Sequence, residues 1–170
     1  MSEAKVLVVY FSRTGTTRLL ASAIAGMLAA DLEAICDCSD RAGPGGYLRS
    51  LIDAIRKRPT EIVPAGLSVS DYDLVVIGSP VWAGSVSAPV RSYLIENRAR
   101  LPQVAFFCSF GGHGADAALR EMGELAGKPA VAECKITAAA AHQGAQAALA
   151  AFVSGLKRHL ARAGEFEWMC

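Results

Sequence analysis

Apolar residues run without polar interruption from Val6 to Phe11, and from Leu19 they recur at helical spacing through Leu20, Ala23, Ile24, Met27 and Leu28. The first pattern predicts a strand covered on both faces, as in a parallel sheet. The second predicts an amphipathic helix. The same change of period repeats along the chain. Asp31 to Cys36 alternates as a short second strand, and after the loop signal Gly43-Pro44-Gly45-Gly46 a helical stripe runs through Leu48, Leu51, Ile52 and Ile55 between Tyr47 and Arg58. Leu74 to Ile77, Val104 to Phe107 and Ala130 to Ile136 read as the third, fourth and fifth strands. Helices are predicted at Ala88 to Asn97 with Pro89 in the first turn, at Ala115 to Ala126, and along a final stripe of Leu149, Phe152, Val153, Leu156 and Leu160. The alanine-rich run from Thr137 to Ala151 also reads as helix.

Five strands alternating with five helices predict an α/β fold. Parallel neighbours need crossover helices, and those crossovers are right-handed almost without exception. The expected architecture is a doubly wound five-stranded parallel sheet in the order 2-1-3-4-5, within one domain spanning residues 1–170. Ligands of such sheets sit beyond the carboxyl ends of the strands, at the switch point between strands 1 and 3.

Three loops fall at that edge. Ser12-Arg13-Thr14-Gly15-Thr16-Thr17 joins the first strand to the first helix, and a helix start leaves about four N–H groups without partners and carries about half a positive charge. Four hydroxyls among these six residues add donors, so the loop suits a phosphate, although serines and threonines also cap helices and fill turns. Other phosphate motifs fit poorly: no lysine lies between Lys5 and Lys57, and Gly15 is the single glycine where a dinucleotide fingerprint needs three. The third strand runs into Gly78-Ser79-Pro80-Val81-Trp82-Ala83-Gly84-Ser85, where Pro80 makes the loop stiff and Trp82 either plugs a gap beside the sheet or stacks on a ligand. The fourth strand ends in Cys108-Ser109-Phe110-Gly111-Gly112-His113-Gly114, whose glycines let a backbone approach a ligand closely or merely turn the chain.

Together the first loop, the segment from Gly78 to Gly84 and the segment Ser109-Phe110-Gly111-Gly112 resemble the three flavin-mononucleotide (FMN) loops of the flavodoxin-like family, in its short-chain form. The resemblance implies that Ser12, Thr14, Gly15, Thr16 and Thr17 hold the FMN phosphate, with Arg13 departing from the usual neutral loop. It implies that Ser79, Pro80, Val81, Trp82, Ala83 and Gly84 line the flavin, Trp82 flanking one face of its ring system. Phe110 stands where many family members place a tyrosine on the other face, beside Ser109, Gly111 and Gly112. The family flips one peptide of its second loop on one-electron reduction; the matching peptide joins Ala83 to Gly84, and Gly84 permits the positive φ that a type II turn needs at its third residue. The implied function is electron carriage between a reductase and a redox acceptor protein. The alternative is an NAD(P)H-dependent FMN oxidoreductase of the quinone-reductase type, in which Tyr47 and His113 either line an open mouth or are ordinary loop residues.

Composition bears on the choice. The formal net charge is +1, with both signs interspersed, so nothing marks a nucleic-acid or membrane-surface partner. Flavodoxins proper are usually acidic, so a near-neutral chain is expected to have a less negative potential for full reduction. Apolar residues make up 52%, yet no uncharged stretch approaches the roughly 20 residues that span a bilayer. The amino terminus passes straight into a strand and leaves no space for a signal peptide, and the five cysteines form no disulfide framework. A cytoplasmic protein is expected. Cys36-Asp37-Cys38 is too tight for a CxxC redox pair, and no metal site is expected. A low-molecular-weight phosphatase is excluded, because no cysteine is followed six positions later by arginine.

Overall fold

The computed structural model describes residues 3–38 and 43–167, apart from the side chains at 47, 50, 51, 54, 166 and 167. Strand β1 (Val6–Tyr10) forms where the apolar run predicts, with all its residues buried. Leu7 and Val9 enter one core while Val6, Val8 and Tyr10 enter the other, which is why the run lacks polar alternation. β1 pairs in parallel with β2 (Asp31–Ala34) on one side and β3 (Leu74–Trp82) on the other. A two-residue strand, β4 (Ser85–Val86), folds back antiparallel on the end of β3. β5 (Gln103–Phe110) lies parallel to β3, and β6 (Glu133–Thr137) lies parallel to β5. The main path β2-β1-β3-β5-β6 is the predicted order, with β4 added beside it.

Helix α1 (Thr16–Leu28) covers one face of the sheet with α6 (Gln146–Glu167), through Leu20, Ile24, Leu149, Phe152, Val153 and Leu156. Helices α3 (Ala88–Asn97) and α4 (Ala115–Ala126) cover the other through Val90, Tyr93, Leu94, Leu119 and Met122. Each fully buried aliphatic or aromatic side chain contributes about 1.5–3 kcal/mol, so both layers are needed.

Two predicted helices differ in detail. Helix α2 (Gly43–Ile55) takes in the glycine run predicted to be loop, and Leu48, Ile52 and Ile55 are exposed rather than core. The reason is the path of the chain, which returns after α2 to the end of β2: Cys38 N–H donates to Glu61 O (3.0 Å), and Val63 N–H donates to Cys36 O (2.8 Å). The stretch between residues 61 and 73 then makes the crossover to β3. Thr60, just before it, is clamped to α3 by Ser92, whose Oγ accepts from Thr60 N–H at 2.8 Å and donates to Thr60 O at 2.6 Å. The alanine-rich run is likewise two helices, α5 (Ala138–His142) and α6. Gly144 and Ala145 both have left-handed backbone there, at φ 97° and 42°, which a continuous helix forbids.

Gly78 is the glycine on which the sheet depends most. A Cβ there would lie 2.0 Å from the ring of Phe107, its neighbour across the β3–β5 ladder.

Candidate functional site

At the carboxyl ends of β1, β3 and β5 the chain encloses a cavity of about 300 Å³, at the lower end of the size of ligand pockets. Ser12, Arg13, Thr14, Thr16 and Thr17 line one side. Pro80, Val81, Trp82 and Ala83 line a second, and Ser109, Phe110 and Gly111 a third. Ala138, at the start of α5, completes the wall. Of the residues expected there, Gly15, Ser79, Gly84 and Gly112 stand outside the lining, and each of the first three has a supporting place.

Gly15 is the N-cap of α1 at φ 97°, a conformation that L side chains rarely adopt, and it brings no capping side chain. Its own N–H donates to Ser12 Oγ (3.0 Å), which closes the turn. The first-turn amides of α1 therefore have no partner inside the helix. Around them, two hydroxyls are tied to neighbouring elements. Thr17 Oγ1 and Ser109 Oγ share a buried hydrogen bond of 2.8 Å that fixes the first loop to the end of β5. Thr16 Oγ1 lies 3.3 Å from His142 Nε2 on α5. Neither His142 nor Ala138 was marked by the sequence, because the alanine-rich run reads as one helix and shows no separate short helix at the end of β6.

Ser79 is wholly buried and holds both ends of the β3–β4 hairpin. Its hydroxyl donates to Pro80 O (2.8 Å) and accepts from Ser87 N–H (3.1 Å), with Ser87 Oγ at 3.0 Å. Beyond it Val81 pairs with Val86 and Trp82 with Ser85, leaving Ala83 and Gly84 as a two-residue turn. Both have positive φ, 48° and 74°, the signature of a type I′ hairpin. Gly84 takes the positive φ expected of it, and the departure from a type II turn lies at Ala83. Strand pairing across the turn selects the primed form, whose twist matches the strands, and it places the left-handed cost of about 1–2 kcal/mol on Ala83. Rotating the central peptide of a type I′ turn leads to type II′, which calls for glycine at the first central position, where this chain has Ala83. Trp82 is half-buried, its ring edge-to-face with Phe11 at a centroid distance of 5.6 Å.

Phe110 is also half-buried and packs on the same core as Trp82, so both rings are anchored from one layer. Gly112 and His113 lie exposed on the loop outside the cavity wall. Tyr47 lies in α2, and its side chain is outside the described residues. Cys108, next to Ser109, is buried, and burial pushes its thiol up to about 12; Cys134 is raised to about 11 for the same reason. Burial thus favours the neutral thiol at both positions. Among the described residues no group of three or more histidine, cysteine or acidic side chains is placed to hold a metal ion, and no helix is long and apolar enough to cross a membrane.

Behind the hairpin lies a buried ion pair absent from the sequence reading. Arg91 Nη1 donates to Glu121 Oε1 at 2.7 Å, with side-chain exposures of 4% and 10%. Burial alone would raise the Glu121 carboxyl, but hydrogen bonds from Ser85, Arg91 and the Val86 amide, with the charge of Arg91, hold it below its ordinary 4.5. A carboxylate more acidic in the folded chain contributes stability above its unfolded pKa, and loses it as pH falls through the folded value. Urea unfolding of the native chain and of Glu121→Gln should therefore differ most near neutral pH. The gap should narrow below about pH 4.5, as the protonated acid comes to resemble the amide. A gap independent of pH would contradict this account of the pair.

No protein-family model matches the chain, and no curated protein does. Solved structures do. A flavoprotein from Lactobacillus acidophilus NCFM, in complex with FMN, is 25% identical with a TM-score of 0.70, over 78% of this chain and 93% of that one. The apo-form of the Lactobacillus flavoprotein matches at 25% identity and a TM-score of 0.62, over 81% and 93%. The two-electron reduced flavodoxin of Megasphaera elsdenii is 19% identical with a TM-score of 0.51, over 78% and 85%. By fold this chain is a flavodoxin-like protein.

Proposed function

We propose that the chain binds FMN in this cavity and passes electrons from a reductase to an acceptor protein. One observation carries the reading: an uncapped helix start rimmed by Ser12, Thr14 and Thr16, with Arg13 beside it, opens into the same cavity as the rings of Trp82 and Phe110. A phosphate fits the first part by charge and donor geometry, and a planar heteroaromatic ring fits the second. The Lactobacillus structure, described with FMN, supports the same ligand.

On this reading the amides of the first turn of α1 and the guanidinium of Arg13 hold the phosphate. Thr17 and Ser109 brace the loop, and Trp82 and Phe110 shield the ring from water. FMN, when bound, supplies reversible reduction by one or two electrons. The test is the absorbance spectrum of the purified, FMN-loaded protein during anaerobic addition of dithionite and then, in a separate sample, NADPH. A bound-flavin spectrum bleached by dithionite and inert to NADPH supports the carrier. Bleaching by NADPH alone moves the assignment to an NAD(P)H-dependent oxidoreductase.

A further inference from the structure

We infer that Glu121, Arg91 and Ser85 form a positioning cluster through which α4 holds the Ala83–Gly84 turn in place, and with it the cavity-lining Trp82 and Ala83. Its effect on ligand affinity rests on the reading of the cavity as an FMN site; its effect on the turn does not.

Ser85 is the first residue after the turn and the cross-strand partner of Trp82. Its hydroxyl donates to Glu121 Oε2 at 2.5 Å and accepts from Arg91 Nη2 at 2.9 Å. The same Glu121 oxygen accepts from the Val86 amide at 3.2 Å, so one carboxylate grips both residues of β4. Lys57, 66% exposed, approaches Glu121 Oε1 to 3.6 Å from beyond the end of α2 and supplies a weaker outer charge. A second contact acts one element-end away. Gly114, the N-cap of α4, packs so closely on the turn that a Cβ there would lie 2.5 Å from Gly84 Cα. The hairpin is thus touched by α4 at both the helix start and its second turn.

Folding alone does not call for this arrangement. A buried ion pair is weak evidence for stability, since apolar residues of equal volume serve a core as well or better. Arg91 Nε is moreover buried with no hydrogen-bond partner. What the polar cluster supplies is directionality at the point where a two-residue strand must hold an alanine at positive φ. An apolar contact would let β4 slide, and Trp82 would move with it.

The test uses Ser85→Ala, which removes the hydroxyl arm of the tether while leaving the Arg91–Glu121 contact and the Val86 amide bond in place, and Glu121→Gln, which removes the carboxylate charge at its centre. Both are made with Trp168→Phe, so that Trp82 is the one tryptophan. Acrylamide quenching of Trp82 in the apoprotein reports the hairpin, circular dichroism reports the fold, and FMN titration reports the site. The expected result is a folded variant with quenching raised about twofold or more and FMN affinity reduced about tenfold. Quenching and affinity equal to those of the parent would overturn the inference. If the parent binds no FMN, the proposed function fails, and the quenching arm still decides the role of the cluster. If both variants fail to fold, hydrogen exchange of the Val86 amide, which donates to Glu121 Oε2, decides it in the native chain: strong protection supports the clamp, and exchange at the rate of an open loop overturns it.

Discussion

A Thr14→Asp variant is expected to lose FMN affinity by about 100-fold or more while unfolding no earlier than the native chain. Thr14 is exposed and lines the cavity one residue before the N-cap of α1. A carboxylate there competes for the first-turn amides and repels the phosphate. Two unit charges about 5 Å apart at an effective dielectric of about 20 repel by about 3 kcal/mol, which sets the fold-change. The same charge favours the helix dipole by about 0.3–1 kcal/mol, so binding and stability move in opposite directions. FMN titration and thermal unfolding of Thr14→Asp and the neutral control Thr14→Ser separate the two effects. An aspartate variant that binds as tightly as the serine variant would place the phosphate elsewhere.

Gly78→Ala is expected to destabilise the fold by about 3 kcal/mol, the upper end for overpacking a well-filled core. For a chain of this size that lowers the melting temperature by about 6–12 °C. The added methyl would meet the Phe107 ring at 2.0 Å, and neither partner can retreat: Gly78 is fixed in the ladder, and Phe107 is 1% exposed on the other core. A double-mutant cycle with Phe107→Leu checks the cause. Strong coupling, with the double variant recovering part of the loss, supports the steric account. A Gly78→Ala protein within about 0.5 kcal/mol of the native one contradicts it.

Much of this architecture was legible in the order of residues, because a strand buried on both faces and a helix buried on one leave different periods. Val6 to Phe11 and the stripe after Leu19 are the clearest cases, and between them they place the first loop. The Trp82 and Phe110 loops were legible as stiff or glycine-rich ends of strands, and the structure brings both rings to one cavity. What stayed hidden depends on contacts distant in sequence. β4 has two residues, too few for any period, and exists because Val81 and Trp82 find partners across the turn. α2 carries a helical apolar stripe, yet Leu48, Ile52 and Ile55 on it are exposed, and the chain after it re-pairs at Cys36, Cys38, Glu61 and Val63. Arg91 and Glu121 look like ordinary charges on helix surfaces until α3 and α4 close on each other. Ala138 reaches the site because it follows the end of β6, where Thr137 pairs with Phe110, and His142 reaches Thr16 from the last position of the short helix that starts there.

The most direct test is equilibrium titration of the purified apoprotein with FMN, followed by quenching of flavin fluorescence and of Trp82 fluorescence in the Trp168→Phe background. The account predicts one FMN per chain, with both signals saturating together and binding weakened in Thr14→Asp. Flavin fluorescence unchanged at saturating FMN, or binding that ignores the charge at residue 14, would contradict it.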